Sequence, residues 1–292
     1  QVLSSGTPVD HKLSLLDTIA YPVESHVHCT GVALFQGVVG VVACPGARNY
    51  HHWLFDTIPR FHLLRRSGWL EQLDAIIVDH ETLPFQAEAL TALGIETDKL
   101  IVPAEQWRSH LEADTLIVPS LPSDLCTVSD WVVDFLRKTF LVDPVPPRAD
   151  RHRRLFISRR RAPTRCERNL EEILSFLSKL GFEEYFAEDH SIAQSARDFA
   201  EAEWIIGMHG SGLSNLVFCT SGSRVIEFLP PRHLDPYYWI LSNHTGCKHG
   251  YLFAEGERSA EGVDLVSHKV DADVVVSVDK LERLMKRLDA AS

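Results

Sequence analysis

The sequence predicts an α/β protein in two parts, on three observations. Beyond residue 150, short apolar runs and amphipathic helical patterns alternate regularly, as they do where a parallel sheet is covered on both faces. Before it, the same two patterns occur in less regular order. Between them, Asp143-Pro-Val-Pro-Pro-Arg-Ala-Asp150 contains three prolines, a stiff connector that marks a boundary. The expected domains are therefore 1–146 and 147–270, followed by a terminal strand and helix at 271–292.

In the first half, His26 to Val42 reads as paired strands around Gly31 and Gly37, and Asn49 to Arg66 as a helix. Strand-like runs follow at 75–79, 100–103 and 115–119, with helical patterns at 85–93 and 128–140. In the second half the predicted order is strand 154–158, helix 169–180, strand 184–187, helix 192–202, strand 204–208, helix 212–218 and strand 224–228. The tail reads as strand 274–278 and amphipathic helix 279–288, with Asp279 as N-cap and Glu282 three residues on. Ligands of parallel sheets sit beyond the carboxyl ends of the strands, so the residues after each strand are the candidates.

Composition narrows the function. With 45% apolar and 24% charged residues in 292, the chain is globular, and its net charge of −11 argues against general affinity for nucleic acid or an anionic membrane. Positive charge gathers in one stretch: Arg148 to Arg168 holds nine arginines against two acids. Six scattered cysteines form no C-x-x-C pair and suggest reduced thiols, neither zinc ribbon nor disulfide scaffold. The longest apolar stretch, Gly31 to Cys44, is too short to span a bilayer, and the expectation is a soluble, cytoplasmic protein, with peripheral association at the inner face of a membrane left open. Residue 1 is Gln, so a trimmed start is also left open.

Four stretches carry residue types suited to chemistry. Ser158-Arg159-Arg160-Arg161, with Arg165 before a helix opening at Asn169, suits a phosphate or diphosphate, or else forms a solvated basic face. His209-Gly210-Ser211-Gly212-Leu213-Ser214-Asn215 follows a strand and opens a helix. Its small residues allow close approach of an anion to the backbone, or simply a tight packing turn. The spacing G-x-G-x-x-N only half meets a dinucleotide fingerprint, and it lacks the glycines of a nucleophile elbow around Ser211. Glu227, on the next strand, stands where such a unit places an acid on ribose, or pairs with an arginine. In the first half, Asn49-Tyr50-His51-His52-Trp53-Leu54-Phe55-Asp56 puts His52 and Asp56 on one helical face, as an oriented general base or a structural pair. No third metal ligand is evident beside them.

Taken together, N-Y-x-H-W-L-F-D (Asn49 to Asp56), S-R-R-x(4)-R with an Asn-led helix (Ser158, Arg159, Arg160, Arg165, Asn169), H-G-x-G-L-x-N (His209 to Asn215) and V-I-E (Val225 to Glu227) resemble glycosyltransferase family 61. The resemblance runs from about Tyr50 to the terminal helix. It departs from the family after Asn169, where Leu170 replaces the usual acid.

The resemblance implies a GT-B-like fold, two Rossmann-like domains facing across a cleft, with a C-terminal helix packing back on the first. It implies a metal-independent, inverting transfer from a nucleotide sugar, UDP-linked in expectation, to a glycan or glycoconjugate hydroxyl, without cofactor. Carried over by position, Ser158, Arg159, Arg165, His209, Gly210, Ser211, Gly212, Asn215 and Glu227 serve the donor. His52 or Asp56 is the base, and Asn49, Tyr50 and His51 lie on the acceptor side. A short form with no visible leader is expected in the family's bacterial polysaccharide branch. Two other readings are an α/β hydrolase using Ser211 and a non-catalytic reader of anionic glycans or nucleic acid through the Arg148–Arg168 cluster.

Overall fold

A computed structural model describes residues 2–3, 32–44, 46–79, 83–102, 110–122, 127–142, 147, 151–231, 235–256 and 273–290. The chain divides into two compact units, 1–139 and 140–292. The proline connector falls almost wholly outside the described residues, as do Gly31 and the segment before it.

The first unit is built on a five-stranded sheet in the order β1-β5-β2-β3-β4, from β1 (Val2–Leu3), β2 (Val32–Val41), β3 (Ala75–Ile77), β4 (Leu100–Ile101) and β5 (His110–Ile117). All pairs are parallel except β1 with β5. The paired strands expected around Gly37 are one continuous strand. Gly37 instead marks a register shift, where Asp114 accepts from its N–H and Asp74 from that of Val38, each at 2.8 Å.

Helix α1 begins at Tyr50–His52, passes through a π-helical turn at Trp53–Thr57 and resumes as Ile58–Arg66. Its apolar face, Trp53, Leu54, Ile58, Phe61 and Leu64, is buried. Helices α2 (Pro84–Ala92) and α3 (Asp130–Phe140) follow. The parallel strands run outward from β2 to β3 and β4, and the chain then returns to the other side of β2 as β5. The direction therefore reverses between β2 and β5, and a crevice opens beyond the carboxyl ends at such a reversal.

The second unit contains β6 (Arg153–Ile157), α4 (Leu170–Ser178), β7 (Glu183–Tyr185), α5 (Ile192–Ala200), β8 (Ala202–Met208), a 3₁₀ helix (Ser211–Phe218), β9 (Arg224–Leu229), α6 (Tyr237–Thr245), β10 (Lys248–Phe253) and α7 (Val278–Ala290). The sheet is wholly parallel, in the order β10-β9-β8-β6-β7. Its reversal lies between β6 and β8. Alternate residues Phe156, Trp204, Ile206, Met208, Ile226 and Phe228 face one buried cluster with Ile173 and Leu177 of α4 and Leu281 and Met285 of α7.

Three expectations are corrected here. The terminal helix, expected to return to the first domain, packs on its own unit: Leu284 and Leu288 lie against Gly250 of β10. It also starts one residue before Asp279, and its early N–H at Lys280 is met by Ser277 Oγ at 3.4 Å, so Asp279 lies inside the first turn. The strand expected before it is reduced to single bridges at Val274 and Val275. Among the described residues, no helix is long and apolar enough to cross a membrane.

Candidate active site

In the first unit the candidate residues collect at the sheet reversal. Beyond β2 the chain turns at Cys44 to Asn49, and the Asn49 side chain accepts from His51 N at 2.8 Å, opening α1. Asp56, one turn on, meets His52 Nδ1 at 2.8 Å, with the two side chains 42% and 23% exposed. A carboxylate only accepts, so Nδ1 carries the proton toward it and the far nitrogen is left with its lone pair. His51 lies edge-on to His52, and Tyr50 edge-on to Phe85.

Arg60, one turn further along α1 and buried, was not singled out from the sequence. Its Nη1 donates to Ala43 O, just past β2, and its Nη2 to Pro119 O, just past β5, each at 2.8 Å. A single guanidinium thus ties the two strand ends that diverge at the reversal. The only sequence signal was a cation four residues after Asp56 on the same helix. Cys44, beside them, is pushed up to about 12 by burial and then by Asp56, which keeps it a thiol and not a nucleophile.

In the second unit the loops after β6 and β8 meet at the other reversal. Arg165, at φ 58°, donates from Nη1 to His209 O at 3.2 Å. Arg159 packs its guanidinium directly over Gly210, where a Cβ would collide with Nη1, and its Nη2 donates to Thr164 O at 2.9 Å. The bend is therefore glycine because a cation occupies the space a side chain would take. Burial, then the neighbouring Arg165, lowers the Arg159 pKa below its ordinary value; the guanidinium remains charged.

Ser211 and Gly212 open the 3₁₀ helix, and buried Asn215 donates to Gly212 O at 3.2 Å, bracing the bend from within. Ser158 is buried and donates to Glu184 at 2.7 Å, so its hydroxyl serves the sheet edge.

Under the bend lies a buried polar network. His209 Nδ1 is 2.5 Å from Glu227 Oε1, and the two side chains are 10% and 2% exposed. His249 Nε2 lies 3.2 Å from Glu227 Oε2, within ion-pair range though off the hydrogen-bond axis, and its Nδ1 is 2.9 Å from Ser242 Oγ. The His209 ring also leans on Tyr238, at 4.9 Å between centroids. Burial alone raises the Glu227 carboxyl, and the contacts with His209 and His249 outweigh it, holding the group below the usual range. The sequence places Glu227 near a ribose; in the structure each of its oxygens already faces an imidazole. His249 and Tyr238 fall in a stretch whose polar residues hide α6 and β10 from a periodicity reading.

The arginine cluster is dispersed by the fold. Arg153 pairs with Asp198 and Glu183, Arg154 with Glu203, Arg160 with Glu171 and Glu184, and Arg161 with Asp189. A continuous basic face for nucleic acid or anionic glycan is therefore not favoured. Nor is a hydrolase, because the elbow glycines around Ser211 are absent. Glu167, counted from the sequence only as a charge, is buried with both oxygens lacking a hydrogen-bond partner. Among the described residues, no group of three or more His, Cys, Asp or Glu is arranged to hold a metal.

Comparison with known proteins gives this geometry a context. The chain is 37% identical over 115 residues to the alpha-1,3-arabinosyltransferase XAT3 of Oryza sativa subsp. japonica, covering 38% of this chain and 19% of that protein. It is 33% identical over 97 residues to the beta-1,2-xylosyltransferase XAX1 of the same plant, covering 33% and 16%. It is 28% identical over 100 residues to the protein O-linked-mannose beta-1,4-N-acetylglucosaminyltransferase 2 of Xenopus tropicalis, covering 33% and 17%. The aligned part spans less than a fifth of each of these relatives. Residues 50–226, more than half of the chain, match the glycosyltransferase 61 family, and the chain belongs to that family.

Proposed function

We propose that this chain is an inverting, metal-independent glycosyltransferase that moves a sugar from a nucleoside diphosphate donor, UDP-linked, to a glycan hydroxyl in polysaccharide or glycoconjugate synthesis. The observation that carries the reading is the meeting of two loops at the β6/β8 reversal. There Arg159 and Arg165 lie on the His209–Gly210 bend at the opening of the 3₁₀ helix, and a diphosphate finds positive charge and backbone N–H groups together. The donor belongs to the second unit, and the acceptor is deprotonated by the first, as the GT-B arrangement implied by the family requires. The bacterial polysaccharide branch remains an expectation from sequence; the matched relatives are from a plant and an amphibian.

The chemistry is a direct displacement. His52, held at Nδ1 by Asp56, takes the acceptor hydroxyl proton on its far nitrogen. The acceptor oxygen bonds to the anomeric carbon as the carbon–oxygen bond to the diphosphate breaks. The bonding pair leaves with the diphosphate, whose added charge the arginines neutralise. A metal is unnecessary because the guanidinium groups supply the counter-charge, so activity is expected to survive chelation by EDTA.

Substitution Arg165→Ala tests the reading. Loss of one preorganised donor lowers kcat by about 10²–10³-fold, and unchanged turnover in that variant defeats the assignment. A panel of nucleotide sugars screened for thermal stabilisation identifies the donor, since a ligand that binds only the folded state raises its stability.

A further inference from the structure

We infer that His249 is a positioning residue for the donor site, the far clamp of a Ser242–His249–Glu227–His209 chain that sets the bend beneath the two arginines. The inference rests on the diphosphate reading above and adds a residue to it.

The geometry runs in one direction. Ser242 Oγ lies 2.9 Å from His249 Nδ1, His249 Nε2 3.2 Å from Glu227 Oε2, and Glu227 Oε1 2.5 Å from His209 Nδ1. The carboxylate accepts from His209 at one oxygen and has His249 Nε2 within ion-pair range of the other, and facing an acceptor-only group each histidine turns a protonated nitrogen toward it. His249 is then left with Nδ1 to accept the Ser242 hydroxyl proton.

A carboxylate held at one oxygen can rotate about its terminal bond; held at both, it is locked. The locked group fixes the His209 ring, and the backbone carbonyl of His209 is the atom to which Arg165 donates. Gly210, next in the chain, lies under Arg159. The position of both guanidiniums relative to the bend thus depends on a histidine three strands away from β6, on the edge strand β10. Buried polar chains of this kind hold an arrangement through the contacts that each member keeps with the next. Removing the outermost member frees the next one, and a displacement of the bend weakens every contact a diphosphate makes there.

The test uses the whole chain, inorganic pyrophosphate as probe, and two readouts. Calorimetric titration gives pyrophosphate affinity. Proton NMR follows the Nδ1–H of His209, which a hydrogen bond this short shifts far downfield of the amides. Replacing His249 by Leu is expected to weaken pyrophosphate binding by about tenfold, as one of the two groups that face the carboxylate is lost. The downfield resonance is expected to move or broaden. Replacing it by Gln, which keeps a polar N–H group facing Glu227, is expected to keep the affinity within about threefold and to restore the resonance.

A folded His249→Leu protein with parental affinity and an unmoved resonance overturns the inference. If that variant does not fold, Ser242→Ala replaces it. That change releases only the outer nitrogen of His249, and is expected to weaken binding by about threefold and to shift the resonance less; no change in either readout overturns the inference equally. Arg165→Ala, titrated in parallel, separates the two claims. Parental pyrophosphate affinity there sinks the diphosphate reading, whereas reduced affinity there with silent His249 variants sinks only the positioning role.

Discussion

Each unit pairs an imidazole with a carboxylate at its sheet reversal, and the two pairs differ in burial. His52–Asp56 is partly open to solvent and rests on one hydrogen bond between neighbours on a helix. His209–Glu227 is enclosed, spans two strands and is continued by His249. On the proposed function, the exposed pair exchanges its proton with a substrate and the enclosed one holds a backbone in place. The same residue types therefore divide between chemistry and architecture according to what surrounds them.

The largest expected effect breaks the exposed pair. His52→Ala and Asp56→Ala are each expected to lower turnover by about 10²–10⁴-fold, the usual contribution of a positioned general base. Pyrophosphate affinity and melting temperature are expected to stay near parental values. A collapse of pyrophosphate binding in either variant makes the pair a donor ligand and erases the contrast between the units.

Breaking the enclosed pair is expected to act on stability instead. Glu227→Ala leaves two buried imidazoles without their shared acceptor, and removal of one partner from such a cluster costs about 3–5 kcal/mol. Because the folded carboxyl is held below its ordinary value of 4.5, its contribution is present above that pH and lost as pH falls below it. Denaturant titrations are expected to show the gap between parent and variant at pH 7 and its narrowing below about pH 4.5; a gap independent of pH contradicts the assignment.

Glu167 offers the opposite sign in the same unit. Burial raises its carboxyl from 4.5 to about 7, an effect that the charge of Arg159 partly offsets. The folded state therefore binds the proton more tightly than the unfolded chain, and stability falls as pH rises from 4.5 through about 7. Glu167→Gln removes this penalty, whose ceiling is on the order of 3 kcal/mol at pH 8. Thermal melts are expected to favour the variant at pH 8 and to converge with the parent near pH 4.5; parallel curves at both pH values rule the explanation out.

How much of this was legible in the sequence depended on whether a feature was local. The strand-and-helix alternation from Arg154 to Phe228 was readable because apolar runs such as Trp204 to Met208 are bounded by polar residues and turns. The His52–Asp56 contact was readable because four-residue spacing places two side chains on one helical face, and it persists through the π-helical turn.

The meeting of Arg165 with His209 could be expected only from the resemblance, since 44 residues separate them and the strand order decides the contact. His249 was invisible for the same reason. Lys248-His249-Gly250 lacks an apolar run, and its partner Glu227 is chosen by the pairing of β10 with β9. Dispersal of the arginines was equally hidden, because their acids come from α4, β7, α5 and the turns beside them.

The smallest expected effect sharpens the comparison between units through two glycines. Gly46 has φ +85°, and a Cβ there would lie 2.8 Å from Cδ2 of His52. Gly46→Ala therefore combines a left-handed backbone, costing about 1–2 kcal/mol in a residue with a side chain, with a push on the His52 ring. Gly210 has extended backbone, so alanine there carries no such strain and acts only through its collision with the Arg159 guanidinium. The first variant is expected to melt a few degrees lower and to turn over about tenfold more slowly with pyrophosphate affinity intact. The second is expected to keep its melting temperature and lose pyrophosphate affinity. If both lose the same property, the chemistry and the anion site are not divided between the two units as their burial indicates.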